Sequence, residues 1–167
     1  MYSYIDNIFQ MKITNLKEIL LKSKKQCIYL DFQSFTNFDE CLDCLCNKIK
    51  DTESVVVLKT SNITPKTALD LSLKIRQIVS LFSSLFLIED RSDIVKLANA
   101  DGILLTNDSI DISYIKKLID EEKFFAYFKN SNKDTDISCF DFLILNDKKF
   151  LNDNFKCFVV ENNNDNK

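Results

Sequence analysis

Apolar positions along the chain follow two alternating rhythms. Short runs in which nearly every residue is apolar read as strands: Cys27–Phe32, Ser54–Lys59, Leu85–Glu89, Gly102–Leu105, Phe124–Phe128, Phe140–Leu145 and Lys156–Val160. The longer segments before and between them repeat apolar residues every three or four positions and read as helices. Residues 12–24 carry Leu16, Ile19 and Leu20 and end in a basic cluster. Asn37–Lys50 sets Phe38, Cys41, Leu42, Leu45 and Ile49 on one face, with Thr36 or Asn37 as the cap. Over Pro65–Ser83 a core stripe runs through Ala68, Leu71, Ile75, Ile78, Val79 and Phe82. Thr64 caps that helix and proline takes its first position, where no N–H is needed. Shorter helices are expected over Ser92–Asn99 and Ile112–Glu122.

Strands that are apolar at successive positions, rather than alternately, are covered on both faces, as in a parallel sheet with crossover helices. The expected fold class is therefore α/β: a shortened or incomplete TIM-type (β/α) barrel with about seven strands over residues 1–160, followed by a disordered polar tail at 161–167. The chain has 167 residues, whereas a complete barrel usually needs about 250. Length by itself favours the alternative, an open doubly wound sheet.

Composition narrows the chemistry more than the pattern does. There is no histidine and one glycine, Gly102. The first excludes Ser-His and Cys-His catalysis and histidine metal ligation. The second excludes glycine-rich phosphate loops of both the nucleotide and the dinucleotide type. A net charge of −3, from 22 Lys and Arg against 25 Asp and Glu, gives no nucleic-acid footprint. The most apolar stretch, Val79–Ile88, is about half a membrane span, and the first residues, with Asp6 and no basic flank, do not form a signal peptide. No membrane partner and a cytoplasmic location are expected. The six cysteines then read as reduced thiols. Cys41, Cys44 and Cys46 lie close together, but on a helix whose buried stripe includes Cys41, and no second pair at ligand spacing follows. Core or near-core packing is the reading, not zinc.

More specific motifs appear at the ends of the second to fourth strands. Lys59-Thr60-Ser61 follows the second, Glu89-Asp90-Arg91-Ser92-Asp93 the third, and Ala100-Asp101-Gly102-Ile103-Leu104-Leu105 forms the fourth. Over roughly Cys27–Leu118 the chain resembles the thiamine phosphate synthase family and its TenI-like thiazole tautomerase subgroup. The resemblance implies a (β/α)8 barrel that joins a pyrimidine pyrophosphate to thiazole phosphate with magnesium. It also implies a thiamine-related phosphate ligand, and metal ligation by Asp90 and, one residue from the usual place, Asp108. Ligand contact falls to Lys59, Ser61, Glu89 and Lys148. Where the family has Arg and Lys on the pyrophosphate this chain has Lys59 and Ser61. Glu89 stands for an asparagine, and Ser109 for the second metal aspartate. A chain without histidine also lacks the subgroup's proton-transferring residue.

Departure of pyrophosphate is an electrostatic problem, and each lost cation or metal carboxylate is worth roughly 2–4 kcal/mol of transition-state stabilisation. The functional expectation is a degenerate, inefficient or non-catalytic family member that keeps a phosphate ligand or a partner. The alternatives are a magnesium-dependent synthase and a structural or interaction module. A homo-oligomer or a thiamine-pathway protein is the expected partner, since an incomplete barrel has strand edges to cover. Asp101 and Gly102 are expected to set a turn into the fourth strand.

Overall fold

The computed structural model describes residues 2–106, 111–120, 122–129, 136–146, 148 and 156–160. Helix α1 (Tyr2–Ser23) leads into strand β1 (Gln26–Leu30), a 3-10 turn (Phe32–Ser34), helix α2 (Phe38–Ile49) and strand β2 (Ser54–Leu58). Then follow α3 (Pro65–Leu81), β3 (Leu85–Glu89), α4 (Ser92–Leu97), β4 (Gly102–Leu105), α5 (Ile112–Leu118), β5 (Phe124–Lys129), β6 (Phe142–Leu145) and β7 (Cys157–Val159). The caps are those the sequence announces. Asn37 accepts from the Glu40 N–H at the start of α2, and Thr64 from the Thr67 N–H at the start of α3. The main difference is α1, which begins ten residues before the expected Lys12. Ile112–Leu118 also stops short of Glu122, and β6 begins two residues after Phe140.

All seven strands are parallel and their spatial order is their chain order, β1 to β7. A doubly wound sheet would reverse its order part-way, so the open-sheet alternative is excluded. The sheet curls until β7 lies against β1, making a nearly closed barrel whose seam falls between those two strands. Strand side chains alternate between two shells. Val55, Val57, Leu85, Leu87, Leu104, Phe124, Ala126, Phe142, Ile144 and Phe158 fill the interior. Val56, Leu58, Phe86, Ile88, Ile103, Leu105, Phe125, Leu143 and Leu145 pack outward with the helices. Cys41 is fully buried in that outer shell and the other five cysteines are half-buried.

Helix α1 closes the lower, N-terminal end of the barrel. Leu21 enters the inner shell. The Lys17 ammonium donates to the Lys123 carbonyl (2.7 Å) and to Asp141 (3.0 Å), both just ahead of strands, and Lys24 pairs with Glu53 at the foot of β2 (2.8 Å). Two aspartates staple this end in the same way. The Asp101 N–H donates to the Phe86 carbonyl (2.7 Å), while its carboxylate accepts from the Phe86 N–H (2.8 Å) and from Arg76 (2.7 Å). Asp141 repeats this with Phe125 (2.7 and 2.8 Å) and Lys17. Asp101 makes the bend that leads into β4, and Gly102 follows it with a φ that is not positive. It is glycine because a Cβ there would sit 2.2 Å from the Phe124 carbonyl oxygen of the adjacent strand.

Candidate functional site at the mouth of the barrel

Ligands of parallel β/α proteins bind where the strands end. Here those ends place Asp31 after β1, Lys59, Thr60 and Ser61 after β2, Glu89 and Asp90 at β3, and Thr106 after β4. Tyr29 points into the barrel beneath them and its ring lies 5.8 Å from that of Phe128.

Glu89 is the centre of this arrangement. Only 5% exposed, it accepts from the Thr60 N–H (2.9 Å) and the Ser61 N–H (3.1 Å) on Oε2, and from the Tyr29 hydroxyl, at close range, on Oε1. The Thr60 hydroxyl returns a bond to the Glu89 carbonyl (2.8 Å). Burial, with the Glu89 carboxylate beside it, pushes the Tyr29 hydroxyl far above the ordinary phenol range.

Asp90 adopts the left-handed conformation, φ 49°. That turns its carboxylate toward β4, where Oδ1 accepts from the Thr106 N–H (2.9 Å) and Oδ2 from the Thr106 hydroxyl. Burial raises its acidity range, opposed by the bonds from Thr106. Asp90 is thus a cross-strand staple, and among the described residues it is neither a helix cap nor an ion-pair partner. Arg91 precedes α4 without a side-chain cap bond, and its guanidinium is held in a two-pronged pair by Asp93 (2.9 and 2.7 Å). Lys59 is tied to Asp31 (2.8 Å), whose hydrogen bond raises the ammonium's pKa.

The structure brings Lys59, Ser61, Glu89 and Asp90 to one end of the barrel. Ser61 engages through its main chain. Lys148 is exposed beyond β6, and Asp108 lies outside the described residues. Among the described residues, no three Cys, Asp or Glu side chains converge as a metal site, and each oxygen of Asp90 accepts one hydrogen bond from Thr106. Asp90 keeps further lone pairs, and magnesium is usually held by one or two carboxylates together with water and phosphate oxygens, so Asp90 is the described residue that would hold it. Tyr29, Asp31, Thr60 and Thr106 belong to the cluster and were not among the expected site residues. A two-residue alternation along β1 puts Tyr29 inside with Cys27, a signal present in the sequence but hidden by the apolar run around it.

The sequence profile of the family described as thiamine monophosphate synthase matches residues 33–133, a span that includes β2 to β5. The chain belongs to the thiamine monophosphate synthase family. Thiamine-phosphate synthase of Campylobacter jejuni strain 81-176 is 30% identical over 97 residues, 58% of this chain and 46% of that protein. The enzyme of the same name from Clostridioides difficile strain 630 is 30% identical over 107 residues, 64% of this chain and 50% of that protein. The chain thus spans about half the length of the curated relatives it matches. Among solved structures, thiamine phosphate pyrophosphorylase from Pyrococcus furiosus superposes with a TM-score of 0.62 at 16% identity, over 76% of this chain and 61% of that one. That likeness concerns the fold. The TIM-like barrel of this family member agrees with the expected fold class, and among the described residues no helix is long and apolar enough to cross a membrane.

Proposed function

We propose that this chain is a degenerate member of its family that does not efficiently join a pyrimidine pyrophosphate to a thiazole phosphate. One observation carries the reading. Both cations at the ends of β2 and β3, Lys59 and Arg91, are already paired within the chain, to Asp31 (2.8 Å) and Asp93 (2.7 Å). Beside them stand the carboxylates of Glu89 and Asp90. A leaving diphosphate gathers negative charge as its bond breaks, and a site favours that departure only with positive charge aimed at it. At these two strand ends the cations are paired within the chain and the adjacent carboxylates repel an anion. With two or three stabilising groups lost, at roughly 2–4 kcal/mol each, the rate falls by several orders of magnitude.

The test is pyrophosphate release from hydroxymethylpyrimidine pyrophosphate and thiazole phosphate in magnesium, at high protein concentration. The expected result is release no faster than without protein. Release that scales with protein and disappears in Asp90→Ala would establish the magnesium-dependent synthase instead.

A further inference from the structure

Helix α1 meets the barrel with the side that carries Lys17 and Leu21. At 3.6 residues per turn, Leu16, Ile19 and Leu20 lie between about a quarter and half a turn away from that side. They form one stripe, which Ile5, Ile8 and Phe9 share by their spacing. The stripe that the hydrophobic pattern marks for burial therefore faces solvent: Leu16 is 58% exposed, Ile19 64% and Leu20 37%. The charge beside it is mostly positive. Lys22 closes α1, Lys25 leads into β1, and Lys48 and Lys50 end α2; all four are exposed. Backbone bonds hold these segments at one corner of the lower end. The Lys25 N–H donates to the Glu53 carbonyl (3.0 Å), and the Gln26 side-chain amide donates to the Lys48 carbonyl (3.1 Å). Among the described residues none of the four ammoniums is in an ion pair. Glu53 is taken by Lys24, which leaves Asp51 as the exposed carboxylate of that turn. A chain of net charge −3 thus carries a positive corner next to an uncovered apolar row.

We propose that the lower end of the barrel docks on an anionic lipid surface, with Leu16, Ile19 and Leu20 of α1 entering the headgroup–acyl boundary and Lys22, Lys25, Lys48 and Lys50 lying on the headgroup charges. An apolar helix row flanked by lysines matches that boundary in both respects. The row leaves water for the acyl chains, while the ammoniums stay in the charged layer, and the two contributions add. Among the described residues no helix is long and apolar enough to cross a membrane, so the contact is with one face of the bilayer. Pairing of α1 with α1 of a second copy would cover the stripe, but it brings no counter-charge to the lysines. Docked in this way, the chain keeps its mouth, at the opposite end of the barrel, open to solution.

The full chain is sedimented with vesicles of phosphatidylcholine alone and with vesicles of which about one third is phosphatidylserine. Binding to the anionic vesicles is expected to be at least about ten-fold tighter than to the neutral ones, and to weaken as salt rises from about 0.1 to 1 M. Ile19→Glu, and Lys48→Glu together with Lys50→Glu, should each weaken it about ten-fold or more. Leu73→Glu, at an exposed leucine of α3, should leave it unchanged. Failure of wild type to bind, equal binding to both vesicles, or binding that the α1 and α2 variants retain overturns the proposal. A dimer of wild type that Ile19→Glu dissolves, without vesicle binding, overturns it in favour of a second copy. Should a variant not fold by circular dichroism, amide hydrogen exchange of wild type decides. Anionic vesicles must then slow exchange along α1 and leave α3 unaltered, and an α1 left unprotected overturns the proposal.

Discussion

Replacing the chain's one glycine by alanine should damage the barrel through contact and not through conformation. Gly102 opens β4 and faces Phe124 at the first rung of the β4–β5 ladder. A Cβ there would lie 2.2 Å from the Phe124 carbonyl oxygen, 2.7 Å from its Cβ and 2.8 Å from its carbonyl carbon. The nearest of these atoms is backbone, so no rotamer change relieves it. β4 and β5 must separate by about 1 Å to restore ordinary contact. That separation breaks the bond from the Phe124 N–H to the Asp101 carbonyl, now 2.8 Å, which costs about 1 kcal/mol. Overpacking between two fixed strands adds about 1–3 kcal/mol. Gly102→Ala should therefore lose about 2–4 kcal/mol, which lowers Tm by roughly 5–15 °C for a chain of this size. Urea unfolding followed by far-UV circular dichroism measures it, with an unchanged m-value as the control. A loss below about 0.5 kcal/mol would refute the steric account.

Four other outcomes follow from the contacts described above. Tyr29→Phe removes the hydroxyl from Glu89 and should cost about 1–3 kcal/mol by the same unfolding assay; in wild type, Tyr29 should be the last tyrosine to ionise in an alkaline absorbance titration. Burial pushes the Cys27 thiol up to about 12 from 9.0, which cuts its thiolate fraction at pH 8 about a thousand-fold, so native-state thiol labelling with mass spectrometry should find Cys27 among the slowest. Lys17→Met should loosen α1 from the barrel, seen as faster amide hydrogen exchange along the helix at a cost of about 1–2 kcal/mol. The raised pKa of Asp90 means the native state binds its proton more tightly than the unfolded chain does. Stability from this group is therefore present at low pH and lost as pH rises through the folded value, and Asp90→Asn should flatten that fall in pH-dependent urea melts.

Much of the architecture was legible because it rests on local rules. Thr64-Pro65 starts α3, Asn37 starts α2, and Leu85–Glu89 and Gly102–Leu105 are bounded as their apolar runs indicate. Helix α1 extends to Tyr2, and Ile5, Ile8 and Phe9 already carry the spacing that Leu16, Ile19 and Leu20 continue. The site was legible in its membership and opaque in its connections. Lys59, Ser61, Glu89 and Asp90 stood out because they follow strands. Their partners are set by curvature. Asp31 reaches Lys59 across the β1–β2 rung, Tyr29 meets Glu89 across two strands, and Asp90 turns to Thr106 through a left-handed backbone that favours no single residue type strongly enough to announce itself. Gly102 stands at the entry to β4 as the sequence indicates, but the atom that demands glycine there belongs to Phe124, 22 positions away.

The strand order has a consequence for how the chain assembles. Each strand hydrogen-bonds only to its neighbours in sequence, so every rung of the ladder can form as soon as the next β/α unit has been made. A chain emerging from the ribosome would extend the sheet by one strand at a time, with α2 to α5 laid down between the strands up to β5. The one junction that needs the first and last strands together is the seam between β1 and β7. Among the described residues no ladder joins these two strands, so closing the ring adds little to the pairing energy already gained, and assembly proceeds from one end without waiting for the other.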